Sequence, residues 1–323
     1  MKTRKLLSLF TSFLLGLTFL SACGGADMSK SSNTDNESSI PTETASVAKV
    51  IVISGQSNAS GFTYVDSLKE NVSEGLFAKY EEGFDNAMIY YNVDTPEENG
   101  YTWPTGGNNT SEGKFVNVKL GQGHTKEQFG PEIGIAERLR EENPNEVVYI
   151  IKCSWGSASL FNDFASPSMA NYATSVYYDK FISVVKAGLT ELEKRTELPI
   201  EIRALCWSQG EKDSATQSNA MQYGPNLQKF VGDFRAEFSD YKGEKEIAFV
   251  DAELGSNEKW TYGDIVNQHK AWFTMQSDDN YSFSMLGLSY SQEPKEKPDV
   301  YHYDSLSMIE LGRRFAEILI KIF

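Results

Sequence analysis

A hydroxyl, a set of glycine amides, a side-chain amide and an Asp/His pair stand at four places in this chain, past short apolar runs. Gly55-Gln56-Ser57-Asn58 follows the run at 49–54. Ser154-Trp155-Gly156-Ser157 follows 147–152, and Trp207-Ser208-Gln209-Gly210-Glu211 closes the run at 200–207. Asp299-Val300-Tyr301-His302 comes after the last run and a loop. A nucleophile, oxyanion donors, a base and an orienting acid are the parts needed for acyl transfer. A serine hydroxyl needs a base within hydrogen-bond reach at neutral pH, and the chain has three histidines. His269 lies among Ile265, Val266, Trp272 and Phe273 on a helical pattern and reads as packed or half-buried. His124 lies in a Gly/Gln/Thr loop and reads as solvated, with substrate contact as its other use. His302 has Asp299 three residues before it, just ahead of a helix. One turn then holds both groups, with the carboxylate on one imidazole nitrogen and the other nitrogen free for Ser57. Taken singly, Ser57 reads as a turn or N-cap serine and Asp-x-x-His as a chance pair.

The elements that must position these groups alternate. Runs at 49–54 (KVIVIS), 147–152, 200–207, 247–251 and 283–288 read as short β-branched strands of a parallel sheet buried on both faces. Leu227, Phe230, Val231, Phe234 and Phe238 share one helical face, as do Tyr177, Phe181, Val184, Gly188 and Leu192. Pro131 suits the first turn of a helix ending before Asn143-Pro144. Asp304 suits the N-cap of a last helix with Ile309, Gly312, Phe315, Ala316 and Leu319 inward. The expectation is a doubly wound, three-layer α/β/α domain over 49–323, with ligands bound beyond the carboxyl ends of the strands. Residues 62–129 are polar and aromatic and read as an elaborated loop insertion with one strand near 87–93. A nucleophile elbow, G-x-S-x-G in mid-chain, does not fit: here the serine opens the domain and the Asp/His pair closes it.

With 323 residues, 40% hydrophobic and 23% charged, the chain can bury a sizeable core. A net charge of −15 repels phosphate backbones and argues against a nucleic-acid partner. Three Cys and three His without C-x-x-C, H-x-x-H or H-E-x-x-H spacing give no metal framework. Cys153 and Cys206 end apolar strands and read as buried free thiols, with a disulfide as the alternative in an exported protein. Lys2, Arg4 and Lys5 precede a mostly apolar stretch at 6–20, which is short for a membrane span. Leu20-Ser21-Ala22-Cys23 then resembles a bacterial lipoprotein signal, which implies lipid on Cys23 and an extracytoplasmic protein anchored to a membrane. An ordinary signal peptide is the alternative. Residues 23–48 are rich in Ser, Thr, Asn and acids and read as a flexible tether.

Gly-Gln-Ser-Asn after the first strand, Phe129-Gly130-Pro131-Glu132, Ser159-Leu160-Phe161-Asn162, Trp-x-Gln-Gly-Glu-x-Asp and a late Asp-x-x-His follow one another in order. In this the chain resembles the sialate O-acetylesterase-like carbohydrate esterases (carbohydrate esterase family six) of the SGNH hydrolase superfamily. The resemblance implies Ser57 as nucleophile, His302 as base and Asp299 as its partner. It implies an oxyanion hole made of the Ser57 N–H, the Gly156 N–H and the Gln209 side-chain amide, and needs neither metal nor organic cofactor. The chain departs from the family where Ser157-Ala158 stands for a frequent Gly-Thr and Ser208 for a common His. Glu211 is either a second acid near His302 or, with Asp213, a carboxylate bonding the loop's own amides. The implied activity is a serine esterase that removes acetyl groups from an acetylated carbohydrate. Tyr90, Tyr91, Tyr101 and Trp103 are candidates for a sugar-binding wall, with core packing as the alternative. Two other readings are a non-catalytic glycan-binding surface lipoprotein on the same fold and an esterase of lipid acyl chains, which the polar insertion does not suit.

Overall fold

The structure, a computed structural model, describes residues 46–93, 109–291 and 299–323. The signal segment, Cys23, most of the tether, Tyr101 and Trp103 lie outside the described residues. In chain order the elements are β1 (Ala48–Gly55), α1 (Ser57–Ser60), β2 (Thr63–Tyr64), α2 (Val65–Asn71), α3 (Glu74–Glu82), β3 (Phe84–Asn92), β4 (Val116–Val118), β5 (Gln128–Phe129) and α4 (Glu132–Glu142). These are followed by β6 (Val148–Cys153), α5 (Tyr178–Glu193), β7 (Ile200–Ser208), α6 (Gln217–Glu237), β8 (Ala248–Ala252), α7 (Gly263–Thr274), β9 (Asn280–Phe283) and α8 (Ser305–Ile322).

Seven strands form one sheet in the order β4-β3-β6-β1-β7-β8-β9. All neighbours are parallel except β3 and β4. β1 is central, and its alternation decides which layer each residue feeds. Ile51 and Ile53 face a core shared with Leu68, Phe77, Ile133, Leu139, Met308, Phe315 and Leu319, from α2, α3, α4 and α8. Val50 and Val52 face the opposite core, with Phe181 and Val185 of α5, Phe230 and Phe234 of α6, and Val266 and Phe273 of α7. A strand buried on both sides needs apolar residues at every position, which is why KVIVIS does not alternate with polar residues.

The expected strands at 49–54, 147–152, 200–207 and 247–251 form within one residue or so of those bounds. The run at 283–288 does not: β9 ends at Phe283, and the chain then turns through Gly287, φ +86°, with Leu286 exposed. The insertion also holds more than its one expected strand, since α2, α3 and β4 lie within it. α2 buries only Leu68, and α3 only Phe77 and Tyr80, so neither carries a full apolar face for a sequence pattern to reveal.

The last helix is held by a close crossing with α4, the helix that follows Phe129-Gly130-Pro131. On α4, a Cβ added to Gly134 would lie 2.0 Å from the Ile309 carbonyl oxygen; on α8, one added to Gly312 would lie 2.1 Å from that of Pro131. The two backbones touch, which fixes the N-terminal end of α8 and the segment before it against the rest of the domain.

Candidate active site

β1 ends at Gly55, whose φ is +139° and whose absent Cβ would fall 2.1 Å from the Ser208 carbonyl oxygen. Only glycine lets the end of β1 turn so close to β7. Gln56 N–H donates to that same oxygen (3.0 Å). The chain then enters the single turn of α1, which begins with Ser57, 7% exposed. The first N–H groups of a helical turn have no partner within it, so the Ser57 N–H is free of the backbone ladder.

The Asp/His pair sits on the segment before α8. His302 Nδ1 lies 2.5 Å from Asp299 Oδ2. The other carboxylate oxygen accepts from Tyr301 N–H (2.9 Å) and His302 N–H (3.3 Å). Burial alone would raise the Asp299 carboxyl. The His302 imidazole and the two backbone donors outweigh it and hold the group below its ordinary range. With Nδ1–H donating to Asp299, Nε2 is the acceptor nitrogen of the neutral ring.

Asn58 joins this segment to the nucleophile. Its Nδ2 donates to Glu211 Oε1 (2.8 Å) and, at longer range, to the Tyr301 carbonyl (3.5 Å). Its Oδ1 accepts from Tyr303 N–H (3.3 Å). Thr63 Oγ1 adds a bond to the Tyr303 carbonyl (2.9 Å). Both neighbours of His302 are thus bonded to the residue that follows Ser57. Asp304 caps α8 by accepting from Ser307 N–H (2.8 Å), as its position in the sequence suggests.

Glu211 therefore meets Asn58, while the acid bonded to His302 is Asp299. Glu211 is 5% exposed, and its Oε2 has no partner among the described residues. Asp213, two residues on, accepts from the N–H groups of Leu160 (2.8 Å) and Phe161 (3.0 Å). It thereby ties the Trp-x-Gln-Gly-Glu-x-Asp segment to Ser159-Leu160-Phe161-Asn162. Burial pushes its carboxyl up to about 6 against these donors.

Gln209 departs from the expected oxyanion role. Its Nε2 donates to Asp213 Oδ2 (2.6 Å) and to the Ala158 carbonyl (3.0 Å), with Gln56 Oε1 at 3.4 Å. Its Oε1 accepts from Tyr223 OH (3.0 Å). An amide nitrogen has two hydrogens, and both have protein acceptors, so in this structure Gln209 is a strut between loops.

Gly156 is buried, and Trp155 N–H donates to the Gly55 carbonyl (3.3 Å), which brings this segment beside the end of β1. Ser157 sits at φ +57°, a left-handed conformation that disfavours side chains. This chain thus holds a serine in a conformation that glycine adopts at no steric cost.

His124 also differs from expectation. It is 1% exposed, and its ring stacks on Phe62 at 4.2 Å, with Phe62 in turn stacked on His302 at 4.6 Å. Burial and the neighbouring His302 lower its pKa to about 4, so it is neutral near pH 7. His269 is partly buried on α7, close against Gly224 of α6. Tyr91 lies in β3 with its ring in the core and its OH on Asn109 (3.3 Å), and Tyr90 packs against Phe115. These two tyrosines build the core, not a sugar wall. Cys153 and Cys206 are free and belong to opposite cores, on strands separated by β1, which rules out a bond between them.

Beneath the site, Lys152 Nζ is fully buried with Glu132 Oε2 (2.7 Å) and the Gln122 carbonyl (2.9 Å). Glu132 Oε1 accepts from Gly130 N–H (2.9 Å). Phe129-Gly130-Pro131-Glu132 thereby docks the strand pair β2–β5, which follows α1. The Gly-Gln-Ser-Asn motif contains Asn58 but does not show its role, and no pattern of spacing points to Phe62 or Lys152, because each acts through partners far away in sequence.

The fold is a doubly wound α/β sheet with a serine just past its first central strand and a hydrogen-bonded Asp/His pair just ahead of its last helix. The family model described as "Carbohydrate esterase, sialic acid-specific acetylesterase" matches residues 47–321, and the chain belongs to that family. It is a carbohydrate acetylesterase. Among solved structures, the fold is similar to a protein from Arabidopsis thaliana (15% identity, TM-score 0.58, 86% of this chain and 99% of that one). It is also similar to NanS (15% identity, TM-score 0.55, 85% of this chain and 97% of that one). A carbohydrate acetylesterase from Xanthomonas citri is similar at 13% identity and a TM-score of 0.51, over 85% of this chain and 56% of that one. No curated protein sequence matches the chain.

Proposed function

We propose that Ser57 carries the deacetylation as nucleophile, with His302 as base and Asp299 as its orienting partner. One observation carries the reading: the Asp299–His302 bond lies on a segment whose residues 301 and 303 are both bonded to Asn58, beside Ser57. Ser57 Oγ attacks the acetyl carbonyl carbon and passes its proton to His302 Nε2. The carbonyl oxygen becomes an oxyanion, held by the N–H groups of Ser57 and Gly156. The bond from carbon to the sugar oxygen then breaks, and that oxygen takes the proton from His302. Water attacks the acetyl-enzyme and gives a proton to His302. As acetate leaves, the proton returns to Ser57 Oγ. Asp299 stays ionised and steadies the imidazolium at each stage.

The substrate is an O-acetylated glycan or sialic acid. The apolar stretch ahead of Cys23 supports export and lipid attachment at that residue, which would hold the esterase on a membrane facing such substrates. The test is acetate release from acetylated sugars, together with labelling by a serine-directed phosphonate. Release and single labelling that vanish in Ser57→Ala support the assignment. Labelling undiminished in that variant would falsify it.

A further inference from the structure

The loop after β8 and the segment carrying His302 are latched together, and at the latch a half-buried Trp260 backs an exposed Tyr301. Asn257 Nδ2 donates to the Val300 carbonyl (2.6 Å), and Trp260 N–H donates to the Asn257 carbonyl (3.1 Å). Trp260 lies against Tyr301, ring centroids 5.8 Å apart at 49°, and its Nε1–H donates to Tyr290 OH (3.2 Å). Tyr290 stacks on the buried Tyr303 at 5.0 Å. The Tyr301 backbone is pinned on both sides, by its N–H to Asp299 and its carbonyl to Asn58, yet the residue is 49% exposed.

An aromatic ring held rigid, half in water and one residue from the catalytic imidazole does not serve the core. A rigid ring adds contact surface at small cost in conformational entropy, and its face suits the C–H groups on one side of a pyranose. Resting on the function proposed above, we propose that Tyr301, backed by Trp260, is the platform on which the substrate's sugar ring stacks while its acetyl group enters at Ser57. The shared chemistry is the C–H face of a pyranose, whether from a neutral acetylated glycan or from a sialic acid. The platform belongs to the loop after β8 and the segment before α8, and not to the insertion.

The experiment compares kcat/KM on three acetyl esters: para-nitrophenyl acetate, which lacks a sugar, acetylated xylo-oligosaccharide, and O-acetylated N-acetylneuraminic acid. Tyr301→Ala and Trp260→Ala should lower the ratio of sugar ester to para-nitrophenyl acetate about tenfold or more, mainly through KM, which corresponds to roughly 1.4 kcal/mol of binding. Tyr301→Phe, which keeps the ring, should hold the wild-type ratio within about twofold. The sugar ester whose ratio falls identifies the source of the ring. Ratios unchanged in both alanine variants, while the wild type cleaves sugar esters, would overturn the platform and leave the esterase reading intact. A wild type that cleaves para-nitrophenyl acetate but neither sugar ester would overturn both.

Discussion

Two segments flank Ser57, one before α8 and one after β7, and they use carboxylates in opposite ways. On the first, Asp299 holds the imidazole through one oxygen and its own backbone through the other, and the ring's second nitrogen is left for chemistry. On the second, Gln209, Glu211 and Asp213 bond to Ala158, Asn58, Leu160, Phe161 and Tyr223, and Gln209 has no hydrogen to spare. The same residue types thus do different work. The imidazole keeps one nitrogen open, whereas Gln209 and Asp213 have their polar atoms engaged by the protein; Glu211 stands between the two cases, its Oε2 without a partner among the described residues. Asn58 belongs to both sides, since its amide reaches Glu211 and its oxygen accepts from Tyr303.

The largest expected effect is on the open side. Ser57→Ala and His302→Ala should remove nearly all turnover. Asp299→Asn should cut kcat by about 10⁴, because the amide favours the wrong imidazole tautomer. Thermal stability should change little in Ser57→Ala. Steady-state kinetics with a melting curve for each variant decide this. An Asp299→Asn enzyme within about tenfold of wild type would move the acid role elsewhere, and Glu211→Gln would be the next variant to make.

On the closed side the signature should be mixed. Gln209→Ala takes one of three donors from the buried Asp213 carboxylate and one acceptor from the Tyr223 hydroxyl, which should cost about 1–3 kcal/mol of stability. Turnover should fall as the Ala158–Asp213 contacts loosen. A residue serving only as an oxyanion donor would instead lose kcat about 10²–10³-fold with the melting temperature unmoved. That outcome would restore Gln209 to the hole and break the contrast between the two segments.

Asn58→Ala tests the joint between them. Glu211 would lose its donor while buried, and the His302 segment would lose two ties. The expectation is a loss of about 1–3 kcal/mol in stability and a fall in kcat with KM little changed. Unchanged kcat would mean that Gly134, Gly312 and the α4–α8 crossing suffice to place His302.

How far the sequence foretold this site depends on the range of each contact. Asp299 and His302 are three residues apart, on one turn, and such a pair can be read from spacing. Four of the strands could be read because burial on both faces leaves a largely apolar run, broken only by single charged residues such as Glu201 and Arg203 at the half-buried start of β7. α2 and α3 could not, since one or two buried residues make no periodicity. β9 was misplaced because the apolar residues after Phe283 belong to a turn that exposes Leu286. The stack of His124, Phe62 and His302 joins three distant segments, and nothing in the Gly/Gln/Thr surroundings of His124 shows that Phe62 covers it. Gln209 was read by type and position. Its commitment to Asp213 and Ala158 is a matter of hydrogen-bond directions, which only the folded chain fixes.

The two carboxylates also predict opposite responses to pH. Burial raises Asp213 from 3.8 to about 6, so the folded protein binds its proton more tightly than the unfolded chain does. That contribution is full below the unfolded value and is lost as pH rises through about 6, a change of roughly 3 kcal/mol at most. Asp299 is lowered, so its contribution is present above the ordinary carboxylate range and is lost as pH falls through its folded value. Urea unfolding of wild type, Asp213→Asn and Asp299→Asn between about pH 3 and pH 7 separates them. Asp213→Asn should gain on wild type as pH rises. The deficit of Asp299→Asn should shrink as pH falls toward the acid end. Asp251, which burial raises to about 7 against the opposing pull of Lys270, titrates in all three proteins and cancels in the differences. A gap between wild type and Asp213→Asn that stays constant across the window would mean that the loop's donors fully offset burial. Asp213 would then ionise like an exposed carboxylate, and the electrostatic half of the contrast would be lost while the hydrogen-bond half stood.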